Sequence, residues 1–285
     1  RREAEKGLME AGKSVFYPDW DSLRAEEREE DPVVLLTVTD EAGTVVRRLT
    51  GPVTKGFHRV AWDLRYPAAN PVSLKARELS PWDEPPAGPL ASPGRYSVSL
   101  WARVDGKVTR LAGPQEFVAA PLGTATLPAK DRGALLAFQQ QTQRLQRAVL
   151  GAVESAREAR ERLAHLKKAI DDTPRADPVL ADDARALDAR LTELLVSLTG
   201  DDVLARHNEP APPSIASLVR GVVEGHWTST SDATQTHRRA YAIAAAEFGG
   251  LLGRLRTLVE TDLRGLENRA EKAGAPWTPG RVPVW

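Results

Sequence analysis

The polarity pattern of this chain changes period near Leu127-Pro128. Before that point, short apolar runs alternate at period two and are punctuated by Gly and Pro. After it, apolar residues return every three or four positions for about forty residues without a break. The pattern predicts a multi-domain protein of β plus α class, with a β module followed by a long-helix module.

The first strand signal runs from Pro32 to Thr39, a β-branched and leucine run too short for a helix. Asp40-Glu41-Ala42-Gly43 follows as a tight turn, with Gly43 supplying a positive φ, and Thr44 to Leu49 reads as the return strand. Gly56 to Trp62 alternates Phe57, Arg59 and Ala61 against His58, Val60 and Trp62, which predicts a further half-buried strand. Arg95 to Val104 is the longest strand, and Asp105-Gly106 is a two-residue hairpin signal. Val108 to Leu111 and Gln115 to Val118 read as two more. Six or so antiparallel strands with these spacings predict an immunoglobulin-like β-sandwich over residues 32–120. The Pro-rich, polar stretch 66–92, which includes Trp82, reads as an insertion laid over a neighbouring surface by its prolines and that indole. Residues 1–31 hold six basic and ten acidic residues and read as a charged linker or helical segment, with Tyr17 and Trp20 as anchors.

In the helical half, Leu135, Thr142, Val149, Ala156, Leu163 and Ile170 fall seven apart. Phe138, Leu145, Ala152, Ala159 and Leu166 interleave with them, so a helix from about Asp131 to Ile170 carries a supercoil-type seam. Asp177-Pro178 opens a second helix whose stripe is Leu180, Ala184, Leu187, Leu191, Leu194 and Leu198, and Gly200 ends it. Ser214 caps a short helix bearing Ile215, Leu218, Val219 and Val222. A last long helix spans about Ala233 to Ala273, with Tyr241, Ala245, Phe248, Leu252, Leu255, Val259 and Leu266 inward. Together these predict an antiparallel long-helix bundle over 128–273. The tail 274–285 is rich in Pro and Trp and reads as a strap pinned by Trp277 and Trp285.

Composition narrows the function classes. Lys+Arg and Asp+Glu are both 39, so no global field draws the chain to nucleic acid, and no apolar run is long enough to span a membrane. The absence of cysteine excludes disulfides, thiolate nucleophiles and Cys-based zinc sites. The chain opens with Arg1-Arg2-Glu3 and is read as a fragment of a longer protein.

The candidate chemistry is sparse. His58, His165, His207, His226 and His237 have no metal-ligand partner at helical spacing. The acidic doublets Asp171-Asp172, Asp182-Asp183 and Asp201-Asp202 lie near helix ends; capping and dipole contacts account for the first two, and the third lies just past a helix end. Asp63, after Trp62, has no second carboxylate at a definable distance and is expected to accept backbone hydrogen bonds. Nucleophile-elbow and phosphate-loop signatures are missing. The reading therefore assigns no catalytic, cofactor or metal residues. It leaves Trp62, Asp63, Trp82 and Trp277 as ligand or partner contacts.

Three stretches, Val38 to Arg47, Gly56 to Asp63 and Pro93 to Tyr96, resemble in order the immunoglobulin-like domain of flagellar hook-capping proteins. The whole chain resembles the C-terminal region of bacterial BNR-repeat proteins with sortilin-like β-propellers, often labelled glycosyl hydrolases. Tyr17-Pro18-Asp19-Trp20, Trp62 to Pro67 and Ala273 to Arg281 carry that likeness. The resemblance implies an upstream propeller in the same polypeptide and export to the periplasm or outside. No repeat motif lies within the chain itself, so no propeller residue is carried over. Abundant packing signals beside no convergent polar cluster point to a non-catalytic accessory module that caps or positions the propeller or a protein partner, without cofactor, and a bundle that consumes the seam inside one chain points to a monomer or weak dimer. The alternative is part of a glycoside hydrolase or carbohydrate-binding protein whose exposed Trp residues contact sugar.

Overall fold

The computed structural model describes residues 2–75, 80 and 82–283, without the side chain of Arg2. The fold is mixed β and α, and the chain divides into two compact units. Arg1–Trp62 with Gly94–Ala119 forms one, and Asp63–Pro93 with Ala120–Trp285 forms the other. Val284 and Trp285, the latter an expected anchor of the tail, lie outside the described residues.

The first unit is built on one antiparallel sheet of four strands in the order β2-β1-β3-β4. The strands are β1 (Val33–Asp40), β2 (Val45–Gly51), β3 (Gly94–Val104) and β4 (Lys107–Ala119). Asp105 and Gly106 both take positive φ, 48° and 70°, as a tight two-residue hairpin requires. The turn before β2 closes through Asp40, whose carboxylate accepts from Thr44 N at 2.8 Å. Register puts Val38 opposite Val98, Leu36 opposite Leu100 and Tyr96 opposite Phe117. Side chains alternate across a strand, so Val34, Leu36, Val38, Tyr96, Val98, Leu100 and Phe117 share one apolar face.

Two strand expectations need correction. Residues 56–62 form no strand, because this segment crosses the apolar face instead of extending an edge of the sheet. A Cβ built on Gly51 would meet Val60 at 3.7 Å, and Trp62 packs edge-on against Tyr96 at 5.3 Å and Phe117 at 6.1 Å. The two strands expected at 108–111 and 115–118 are one, since β4 stays paired with β3 through register shifts around Leu100. The described residues thus form one sheet covered by an extended segment, and no second sheet faces it. Ahead of the sheet, α1 (Arg2–Glu10) and α2 (Trp20–Glu27) are short and polar, with Asp19 capping α2 through Ser22 N. Tyr17 and Trp20 do not anchor this segment; both rings are exposed.

The second unit is helical. Its elements are α3 (Arg132–Asp171), α4 (Pro178–Thr199), α5 (Asp202–Arg206), α6 (Ile215–His226), α7 (Gln235–Thr257) and α8 (Arg264–Lys272). A π-helical turn, Leu258–Leu263, joins the last two without a break. Asp177 and Ser214 cap α4 and α6 as the sequence predicts, accepting from Val179 N and Ser217 N, and Asp131 caps α3 by accepting from Ala134 N. The seam of α3 is consumed inside the chain: all of its positions from Val149 to Ile170 are buried, with Leu135 and Leu145 half-buried toward the N-terminus. Ala156, Ala184, Ala244 and Ala270 are buried to the last few per cent, so the helices approach closely at these small residues.

The inward stripe of the last long helix differs from the expected one. Ala244, Phe248, Leu251, Leu255 and Leu258 step by four and three, then the π turn adds one residue before Leu263, Leu266 and Ala270. That extra residue keeps Asp262 out of the core, where it pairs with Arg190 at 2.7 Å.

Residues 63–93 belong to the helical unit rather than forming an insertion in the β domain. Tyr66 N donates to Pro89 O at 2.9 Å and Ala91 N to Leu64 O at 2.7 Å, so the two ends of the segment form a short ladder. Arg65 Nη1 donates to Gly88 O at 3.2 Å and to Trp227 O at 3.0 Å, and Gln143 Nε2 donates to Pro67 O at 2.5 Å. At Gly88 a Cβ would lie 2.4 Å from Tyr66 O, so only glycine fits the ladder there. The prolines and Arg65 hold this segment down, and Trp82 does not, being 93% exposed.

Candidate functional site

The densest group of chemically capable side chains lies where α3, α6 and α7 meet. Phe138 and Gln139 come from the first turns of α3, His226 from the end of α6, and His237, Arg238 and Tyr241 from the start of α7. The His226 and His237 rings stand edge to face, 5.2 Å apart and 83° to one another. Phe138 packs edge-on against His226 at 5.9 Å and Tyr241 at 5.8 Å, and the Arg238 guanidinium lies over the Phe138 ring at 5.2 Å.

Gln139 is 3% exposed and His226 2%. The Gln139 amide Nε2 approaches His226 Nδ1 at 3.3 Å and donates to His226 O at 3.4 Å. Donation to Nδ1 makes that nitrogen the acceptor and leaves the ring proton on Nε2. His226 Nε2 and His237 Nδ1 are both buried without a hydrogen-bond partner among the described residues. Burial therefore lowers the His226 pKa from its ordinary 6.5, and positive charge on His237 and Arg238 lowers it further.

The folded state binds the His226 proton less readily than the unfolded chain, so its contribution to stability is complete above pH 6.5. It is lost as pH falls below that value toward the depressed one. The melting temperature of the helical unit should drop between pH 7 and 5, and His226→Gln should flatten that part of the profile. Parallel profiles for the two proteins would show that His226 plays no part.

Gln139 also lines a cleft of about 390 Å³ formed within the helical unit. Its walls are Leu64, Leu90 and Pro93 from the docked segment, Pro121 and Leu122 from the connection into α3, and Leu135 and Leu136 of α3, with Arg132, Ser229 and Thr230 beside them. The connection is tied down by Ala129 N donating to Thr230 O at 2.8 Å and by Ser231 Oγ donating to Leu127 O at 2.6 Å.

The four residues singled out from sequence are not brought together. Trp62 sits in the aromatic cluster of the sheet unit, and Asp63 accepts from Arg65 N at 3.0 Å. Trp82 is exposed, and Trp277 is 58% exposed with its indole N–H donating to Arg281 O at 2.8 Å. The tail is therefore pinned by Arg281 rather than by Trp277: Arg281 donates to Glu271 at 2.5 Å, Thr278 Oγ1 at 2.9 Å and Pro276 O at 2.6 Å.

The acidic doublets are structural, with roles that differ from those expected. Asp201 caps α5 by accepting from Val203 N and Leu204 N, and Asp172 pairs with Lys168. Asp182 and Asp183 pair with Arg185 and Arg269 instead of capping. His58 bonds locally to Thr54 O at 2.6 Å.

Among the described residues no three His, Cys, Asp or Glu side chains are grouped to hold a metal ion, and no helix is long and apolar enough to cross a membrane. The His226–His237–Gln139 cluster escaped the sequence because its members come from three helices. The only local signal was a histidine on either side of one polar loop. Comparison of the chain with protein-family models, with curated proteins and with solved structures finds no match.

Proposed function

We propose that this chain is a non-catalytic accessory module of a larger exported β-propeller protein. In this reading an immunoglobulin-like sheet unit and an antiparallel helical bundle cap or position the propeller, or hold another protein. One observation carries it. Phe16, Tyr17 and Trp20 are exposed in the sheet unit, Trp20 at 72%, in a segment that the core of its own unit does not use. Aromatic anchors of this size bury about 150–250 Å² each on association and dominate interface energetics. The segment stands on the N-terminal side, where the resemblance puts the propeller. Periplasmic or secreted placement follows from the same likeness, and the consumed seam of α3 supports a monomer.

Limited proteolysis of the parent polypeptide tests the reading. Residues 11–31 should be protected there, and replacing Phe16, Tyr17 and Trp20 together by serine should speed cleavage by about tenfold. Cleavage in the parent as fast as in the isolated chain would overturn the interface. Hydrolysis of glycosides, esters or peptides by the isolated chain at enzyme-like rates would overturn the non-catalytic assignment.

A second reading, carbohydrate contact, draws on the exposure of the Trp82 and Trp277 rings, since stacking on sugars needs accessible indoles. Titration with polysaccharides read by tryptophan fluorescence separates the two. A saturable shift abolished by Trp82→Phe favours sugar binding, and an unchanged spectrum favours the accessory module.

A further inference from the structure

We propose that the cleft beneath the docked segment binds a mostly apolar small molecule of about two rings that presents a hydroxyl hydrogen to Gln139. The cleft encloses about 390 Å³, within the range of small-molecule sites. A cavity of about 150 Å³ admits benzene, so this one admits on the order of fifteen non-hydrogen atoms. Leu64, Leu90, Pro93, Leu135 and Leu136 make its walls apolar.

The polar anchor is Gln139. Its amide Nε2 faces His226, 3.3 Å from Nδ1 and 3.4 Å from the carbonyl oxygen. The Gln139 side chain is 97% buried and lines the cleft, and its Oε1 accepts no hydrogen bond from a described residue yet is not sealed from solvent. An accessible amide oxygen without a protein donor is free to accept from a ligand. A ligand hydroxyl at the buried end satisfies Oε1, while its rings replace water along the leucines. The His226 contact fixes which end of the amide faces the cleft, so the site selects a donor over an acceptor.

Calorimetric titration of the full chain with three probes of one shape tests the assignment. 4-Phenylphenol carries the donor, 4-methoxybiphenyl lacks it, and biphenyl-4-carboxylate puts an anion in its place. The phenol should bind about tenfold more tightly than the ether, and the carboxylate more weakly than either. Leu136→Trp, which fills the cleft from a half-buried helix position, should abolish binding of all three. Gln139→Met should bring phenol and ether to within about twofold of one another. Equal affinities for phenol and ether in the unsubstituted protein, or tightest binding of the carboxylate through Arg132, would overturn the role of Gln139. Absence of binding, or binding that survives Leu136→Trp, would overturn the site.

Discussion

Leu166→Ala should lower the stability of the helical unit by about 3–4 kcal/mol, near the middle of the range for leucines in closed cores. Leu166 is fully buried in the seam of α3 and belongs to the core that joins α3, α4, α6 and the last helix. Removing three carbons there forfeits the transfer free energy and leaves a cavity that a long rigid helix cannot collapse to fill. Thermal unfolding followed by helical circular dichroism should show a midpoint about 10 °C lower. Leu145→Ala, in the same seam but only partly buried, should cost about 1 kcal/mol. Similar losses at the two positions would mean that the seam is not closed inside the chain.

Glu267→Gln is expected to cost about 3 kcal/mol and to free the C-terminal tail. Glu267 is one of the few buried charges, and Arg162 grips it with Nε and Nη2 on Oε1 at 3.1 and 2.8 Å and Nη2 on Oε2 at 2.9 Å. The glutamine would leave a largely buried guanidinium without its counter-charge, and such loss of one partner exceeds the net worth of the pair. The same residues hold the tail. Arg281 Nη1 lies 3.5 Å from Glu267 O, and Gly280, at φ 88°, rests so close to Arg162 that a Cβ would approach its Nε to 2.6 Å. Proteolysis after residue 276 should therefore accelerate in Glu267→Gln, while Arg162→Met with Glu267→Met should recover most of the lost stability. Retention of full stability by the single variant would show that the pair is solvated and the tail independently held.

Local signals were legible in the sequence where one element carried both the pattern and its consequence. The seam of α3, the stripe of α4, the caps at Asp177 and Ser214 and the two hairpin turns all follow from spacing and side-chain chemistry within a few residues. Sequence patterns mislead wherever a partner comes from elsewhere in the chain. The period-two run at 56–62 encodes a half-buried extended segment, but alternation alone does not say whether its backbone pairs in a ladder or its side chains cover a face. The last helix buries Ala244, Leu251 and Leu258 where their neighbours Ala245, Leu252 and Val259 were expected, and beyond them the π turn at 258–263 admits one residue that 3.6-residue periodicity does not count.

Sequence by itself determined that this is a β-then-α chain, where most helices start and stop, and which leucines of α3 and α4 close the core, because each depends on contacts a few residues apart. Only the tertiary structure decided that 63–93 folds with the helices, that buried Gln139 and His226 assemble with His237 beside an apolar cleft, and that Arg281 rather than an indole fastens the tail. Those outcomes rest on pairings between residues 10 to more than 100 positions apart, such as Arg65 with Trp227 and Arg162 with Glu267. Burial selects among such pairings through geometry that one-dimensional spacing does not contain.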